Sequence, residues 1–239
     1  GLLGSLFAGA KTVLCRNGSA DEILNCIEMH EVTTMALVPS LLRACISLQD
    51  LMENDLSSLQ MIQIGGAMCP PQLAELAVEK LGCKVQQIYG MSEGFVSATR
   101  PEDPYEIMIG TQGIPVSPGD IMKIVDEEEQ EVPAGEAGEI LARGPSVVWE
   151  YYENPVMSSV AFTEDGFYRT GDKGRIDPDT GRLQILGRIR EQINRLGEKI
   201  MPSELEEYLL DHPQIQQVCV VPADDETLGQ RICICLPEA

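Results

Sequence analysis

Positive charge is scarce in this sequence. Only 17 Lys and Arg stand against 38 Asp and Glu in 239 residues, a formal net charge of −21 at pH 7. So acidic a surface repels long polyanions, and neither nucleic acid nor an anionic membrane is expected as a partner. Histidine is scarcer still. His30 and His212 are the only two, and His212, ahead of Pro213, reads as a capping or surface residue at a helix end. A hydrolase triad has little to be built from. No segment reaches the roughly 18 consecutive apolar residues of a membrane helix. Residues 1–10 are apolar but lack a basic flank, so no targeting signal is expected. The missing initiator Met suggests a piece of a longer protein. No CxxC pair occurs among the eight cysteines, Cys15, Cys26, Cys45, Cys69, Cys83, Cys219, Cys233 and Cys235. Most sit in apolar runs, so buried free thiols in a reducing, cytoplasmic setting are expected, not disulfides or zinc sites.

What is present is a globular composition, 44% hydrophobic, with enough length for one large core or two modest ones. The scarce cations are also concentrated. Residues 169–199 hold eight of the 17, beside five acids, Asp172, Asp177, Asp179, Glu191 and Glu198. The end of this window, GRIREQINRLGEKI from Gly187 to Ile200, closes a hairpin built around Asp172 and carries Arg188, Arg190, Arg195 and Lys199. A cationic strip on an acidic background suits a small phosphate-bearing ligand; a solvated hairpin is the alternative.

Along the chain, the first hundred residues alternate strand and helix signals. Thr33–Val38 reads as a buried strand, Leu41–Met52 as a helix and Leu59–Ile64 as a strand. Pro70 and Pro71 then open a helix over Gln72–Leu81, and Lys84–Tyr89 is the next strand. Strand, crossover helix and strand imply a parallel sheet covered on both faces, with ligands beyond the carboxyl ends of its strands. Two strands end there in glycine-bearing sequence, IGGAM and YGMSEG. The glycines permit close backbone approach, and Ser92 and Glu93 supply a hydroxyl and a carboxylate; glycine turns with a solvated Glu are the alternative. Past Pro101, short strands at Ile121–Val125, Glu139–Ala142, Gly174–Asp177 and Arg182–Leu186 predict a small β-barrel-like subdomain. A further change of texture near Arg190 predicts a small α+β domain. There, Ser203 and Glu206 have capping-box spacing, a helix over Glu204–Asp211 presents Leu205, Tyr208 and Leu209 to a core, and Gln217–Val221 and Ile232–Leu236 are strands. The expected division is 1–100, an α/β sheet region, 101–189, the β subdomain, and 190–239, the start of a mobile C-terminal domain.

Four ordered motifs, YGMSEG, GEAGEILARGPSVVWEYYENP, FYRTGD and GRIREQINRLGEKI, resemble those of the adenylate-forming superfamily. QQIYGMSEG, TQGIPVSPGD and GFYRTGD look most like the aryl acid AMP ligases that activate 2,3-dihydroxybenzoate or salicylate for siderophore and nonribosomal peptide assembly. The resemblance implies ATP-dependent formation of an acyl adenylate, followed by transfer to the thiol of an aryl carrier protein or coenzyme A. It gives Gly66 and Ala67 the adenine edge, Tyr89 the adenine face and Ser92 a phosphate oxygen, with Gly90 also in the nucleotide site. Glu93 takes Mg²⁺, Asp172 the ribose hydroxyls, and Arg188 the ribose and α-phosphate; Glu93 and Arg188 are the catalytic candidates. None is a base that does chemistry, so catalysis would rest on positioning and electrostatics.

By the same resemblance Gly65, Gly66, Ala67, Ile88, Met91 and Val96 line the slot for the aromatic acid. Ile88 stands where dihydroxybenzoate relatives resemble Val, which narrows the slot. Arg190 falls at the hinge, and Gly197 and Lys199 at the thiol tunnel. Two departures stand out: Glu150 and Leu196 each replace a family glycine. The resemblance also implies that the N-terminal phosphate loop and the C-terminal catalytic lysine lie outside residues 1–239, so the chain as it stands is expected to be inactive. A CoA ligase of the same superfamily and a noncatalytic module retaining the fold are the alternatives.

Overall fold

A computed structural model of the chain describes residues 2–212, 214–215, 217–225 and 227–237. Pro213 of the His212 reading lies outside them. The chain divides into two compact units, Gly1–Gln87 and Ile88–Ala239.

The first unit runs α1 (Leu2–Phe7), α2 (Ala20–His30), β1 (Thr34–Leu37), α3 (Pro39–Met52), β2 (Met61–Ile64), α4 (Pro71–Leu81) and the start of β3 (Lys84–Gly90). The strands pair in parallel, Thr34 opposite Met61 and Met61 opposite Lys84, with α3 and α4 as crossovers. Proline sets the first turn of both crossover helices, and each ends on a residue of positive φ, Glu53 at 52° and Gly82 at 66°. Their buried faces, Leu42, Cys45 and Ile46 on α3 and Leu73, Ala74, Ala77 and Leu81 on α4, have the spacing of one helical stripe. The expectation of a buried first strand is corrected. Only Leu37 of β1 is buried, because β1 is the edge strand of its sheet among the described residues. Helix α2 was not anticipated, although Asp21 and Glu22 in its first turn and buried Ile23, Leu24 and Ile27 mark it.

The last residues of β3 pair antiparallel with β4 (Val96–Ala98) in the second unit, Ile88 opposite Ala98. Then follow α5 (Tyr105–Gly110), β5 (Ile114–Pro115), β6 (Ile121–Val125), β7 (Gly138–Arg143), α6 (Pro155–Ala161), β8 (Tyr168–Ile176) and β9 (Leu183–Arg188). Strands β6 to β9 form an antiparallel meander in sequence order, with β6 and β9 as its edges, so among the described residues the sheet is open. Alternation along β8 turns Tyr168, Thr170, Asp172 and Gly174 to the buried side. A 3-10 turn at Ile189–Glu191 leads to β10 (Ile193–Arg195), β11 (Glu198–Ile200), α7 (Pro202–Leu210), β12 (Cys219–Asp225) and β13 (Gly229–Cys235), which supply a separate four-stranded sheet.

Three expectations fail here. Ser203 and Glu206 form no capping box: Met201 is the N-cap, Ser203 Oγ donates to the Leu186 carbonyl, and Glu206 accepts from the Val220 N–H at 2.7 Å. Both side chains are used to fasten α7 to neighbouring strands. Tyr208 is 77% exposed, so it faces solvent and not a core. Of the cysteines only Cys45, Cys69 and Cys83 are buried, while Cys15, Cys219, Cys233 and Cys235 are exposed; all are free thiols. Burial pushes the Cys45 and Cys83 thiols up to about 11 and Cys69 to about 12, which keeps them protonated and unreactive at neutral pH. No helix among the described residues is long and apolar enough to cross a membrane.

Candidate active site

Asp172 and Arg188 are direct cross-strand partners on β8 and β9. Arg188 Nε donates to Asp172 Oδ1 at 3.0 Å, and Tyr89 Oη donates to Oδ2 at 2.7 Å. The carboxylate is aimed by a bulge. Ile140 alone faces the stretch from Thr170 to Asp172, and Gly171 takes the positive φ of 68° that the bulge requires. Thr170 Oγ1 locks it by donating to the Ile140 carbonyl at 2.8 Å and accepting the Asp172 N–H at 3.0 Å. Burial raises the Asp172 carboxyl above its ordinary range, and the Tyr89 and Arg188 contacts oppose that rise. The Tyr89 phenol is pushed far up, by burial first and then by the Asp172 charge.

The YGMSEG loop is the turn between β3 and β4. Met91 N–H donates to the Phe95 carbonyl at 3.2 Å, and Gly94 N–H to that of Met91 at 3.1 Å. Gly94 has φ 111°, and a Cβ there would lie 1.7 Å from the Ser146 carbonyl oxygen, so no other residue fits. Behind it Phe95 is fully buried and meets Tyr89 edge-on, with centroids 6.2 Å apart. The turn leaves Ser92 exposed and Glu93 part-buried. Glu93 Oε1 accepts from Tyr151 Oη at 2.9 Å, and the Tyr151 and Tyr168 hydroxyls are 3.2 Å apart. Burial, then the bond to Tyr151 and the Glu93 charge, push the Tyr168 phenol up.

Loop and hairpin border an open cavity of about 610 Å³, lined by Gly90, Met91, Ser92, Glu93, Val96, Tyr168, Thr170, Asp172 and Arg188. Seven of these the sequence had singled out; Tyr168 and Thr170 it had not, though both share the inward face of FYRTGD with Asp172. Ile88 is part-buried in β3 and, like Tyr89, does not line this cavity. Gly65, Gly66 and Ala67 follow β2 in the first unit, Gly66 at φ 80°. Arg190 is exposed in the 3-10 turn. Gly197, at φ 89°, shares the β10–β11 turn with Leu196, a non-glycine at φ 54°. Lys199 pairs with Glu127. Glu150, by contrast, has no positive φ, so the glycine it replaces is not required there by backbone conformation.

A buried carboxylate beside a guanidinium suits a ligand with vicinal hydroxyls and a nearby negative charge. Among the described residues no three His, Cys, Asp or Glu cluster to hold a metal. One cavity carboxylate, Glu93, is still an apt partner for Mg²⁺, which takes one or two carboxylates and completes its shell with phosphate and water oxygens.

Residues 1–152 match the profile of the AMP-binding enzyme family, and the chain belongs to that family. It is 42% identical over 234 residues to the 2,3-dihydroxybenzoate-AMP ligase of Bacillus subtilis, covering 98% of this chain and 43% of that protein. Among solved structures it resembles apo MbtA of Mycobacterium smegmatis, with 38% identity, a TM-score of 0.74 and coverage of 98% of this chain and 44% of that one. It also resembles the anthranilate CoA ligase AuaEII in complex with anthranoyl-AMP, with 28% identity, a TM-score of 0.82 and coverage of 95% and 43%. The chain therefore spans less than half the length of these relatives.

Proposed function

We propose that the chain is part of an enzyme that activates an aromatic carboxylic acid with ATP. The acid's carboxylate attacks the α-phosphate, giving an acyl adenylate and pyrophosphate; a carrier-protein or coenzyme A thiol then displaces AMP. The observation that carries this reading is the Asp172–Arg188 pair beside the Ser92–Glu93 turn on one cavity, an acceptor for ribose hydroxyls next to groups for phosphate. Likeness to an aryl acid AMP ligase and to an aryl CoA ligase holding its adenylate supports the acid class.

In this reading Asp172 accepts from both ribose hydroxyls, and Arg188 orients Asp172 and adds charge toward the α-phosphate. Ser92 donates to a phosphate oxygen, Gly90 belongs to the nucleotide site, and Glu93 holds Mg²⁺. When bound, the cation would neutralise charge on the phosphates. Tyr89 fixes Asp172 through its hydroxyl while its ring serves adenine; Gly66 and Ala67 take the adenine edge. Gly65, Gly66, Ala67, Ile88, Met91 and Val96 are assigned to the aromatic ring. Arg190 is the hinge residue, and Gly197 and Lys199 belong to the thiol tunnel. Residues 1–100 and 101–189 are two parts of the adenylation domain, and 190–239 begins the mobile domain.

The test is acid-dependent exchange of pyrophosphate into ATP with benzoate, salicylate, 2,3-dihydroxybenzoate and acetate, in the chain and in a version extended at both ends. Exchange by the extended version with aryl acids and not with acetate supports the reading. Exchange with none of the acids removes it.

A further inference from the structure

Glu93 is held more firmly than a cavity carboxylate on a turn needs to be. Its carbonyl accepts the Val148 N–H at 2.9 Å, and its side chain accepts from Tyr151 at 2.9 Å, so the 148–151 segment grips both backbone and carboxylate. Tyr151 is itself fixed without help from Glu93. Its N–H donates to Ser158 Oγ at 2.9 Å, Ser158 Oγ donates to the Asn154 carbonyl at 3.0 Å, and its ring meets Phe162 edge-on with centroids 6.4 Å apart. Phe162 in turn packs edge-on against Tyr168, with centroids 5.4 Å apart.

A phenol has one proton to give. Because Tyr151 donates it to Glu93, the 3.2 Å contact between the two phenols is completed by the Tyr168 hydroxyl donating to Tyr151. In the order Tyr168 to Tyr151 to Glu93, the Tyr151 hydroxyl holds one oxygen of the carboxylate, Oε1. A Glu side chain otherwise loses rotamer freedom when it binds a metal, and a partner that fixes it beforehand lowers that cost.

We propose that Tyr151 is a positioning residue that sets the Glu93 carboxylate for the cation accompanying ATP, with Tyr168 orienting the Tyr151 hydroxyl. This rests on the reading of Glu93 as the Mg²⁺ ligand. The chemistry assigned to Tyr151 is orientation alone; it does not touch ATP.

The test is calorimetric titration of ATP into the version extended at both ends, with Mg²⁺ and with EDTA, which isolates the metal-dependent gain in affinity. Wild type should show a gain, Glu93→Gln should abolish it, and Tyr151→Phe should reduce it about tenfold, the lower range for outer partners of metal ligands. Metal-free ATP affinity should be unchanged in Tyr151→Phe. Ser158→Ala, which loosens the Tyr151 backbone and keeps the phenol, should retain most of the gain. A Glu93→Gln effect with Tyr151→Phe equal to wild type overturns the role of Tyr151 while leaving Glu93 in place. An equal loss in Ser158→Ala and Tyr151→Phe overturns it too, since order of the segment and not the phenol would then matter. If wild type has no gain, or Glu93→Gln keeps it, the reading of Glu93 falls and the inference with it.

Discussion

The stretch from Ile88 to Arg188 and the stretch after it solve different problems with the same kind of secondary structure. In the first, Phe95, Ile140, Leu141, Ala142 and Leu183 are buried, and the polar groups on the cavity are bonded to one another, Asp172 to Tyr89 and Arg188, Glu93 to Tyr151. In the second, Ile193, Met201 and Val220 are the buried anchors, and Arg190, Gly197 and Lys199 face solvent. Both stretches belong to one compact unit. Met201 packs where Gly187 has no side chain, a Cβ there meeting Met201 Cε at 2.7 Å, and Ser203 bonds the Leu186 carbonyl. The cavity groups are fixed by packing and by bonds to one another, whereas the later stretch meets the earlier one through Met201 at Gly187, Ser203 at Leu186 and Lys199 at Glu127.

The comparison breaks first at Phe95. Phe95→Ala should destabilise the chain by about 3–5 kcal/mol in urea unfolding, the range for truncating a buried Phe; a loss below about 1 kcal/mol would mean that the turn is not held by its core. Leu196 tests the other side. Its left-handed backbone is strained for a side chain with a Cβ, so Leu196→Gly should stabilise by about 1 kcal/mol, seen as a higher urea midpoint. Destabilisation by that change would show that the Leu196 side chain has a packing role outweighing the strain.

Charge sharpens the contrast. Burial raises the Asp172 carboxyl above its unfolded value, so the folded chain keeps that proton to higher pH than the unfolded chain does. The resulting stability is complete below the ordinary aspartate range near pH 4 and is lost as pH rises through the folded value. Asp172→Asn should therefore gain on wild type as pH is raised from about 3 to about 7, followed by thermal unfolding across that range. A difference that does not change with pH contradicts the cause assigned. Lys199→Ala should do least. Its ion pair with Glu127 is solvent-exposed at both ends, and its removal should cost less than about 1 kcal/mol in the same urea assay.

Much of this was legible from local signals. Proline and glycine punctuation gave α3 and α4, and β-period runs gave β2, β3, β6, β7 and the Asp172 hairpin, because those elements bury one face each. Two of the misses share a cause, which is partners far away in the chain. Ser203 and Glu206 have the spacing of a local cap, yet their acceptor and donor are on β9 and β12. Tyr151 contacts Glu93 across 58 positions, and nothing in YYENP says which tyrosine turns inward. Strand β8 was read too short because its glycines, Gly171 and Gly174, look like loop residues; one serves a bulge and the other a close approach to Ile140. Leu196 is the reverse case, a departure visible in the sequence whose meaning, a positive φ, needed the backbone.

The proposed function turns on Asp172 binding the two ribose hydroxyls of the nucleotide. Calorimetric titration of the chain and of Asp172→Ala with AMP and with 2′,3′-dideoxy-AMP completes a cycle in which the hydroxyls and the carboxylate are removed separately and together. Either removal should weaken binding by about 1.5–3 kcal/mol or more, the range for a charge-assisted bond, and the second removal should add little. Equal AMP affinity in wild type and Asp172→Ala, or fully additive losses, would contradict it.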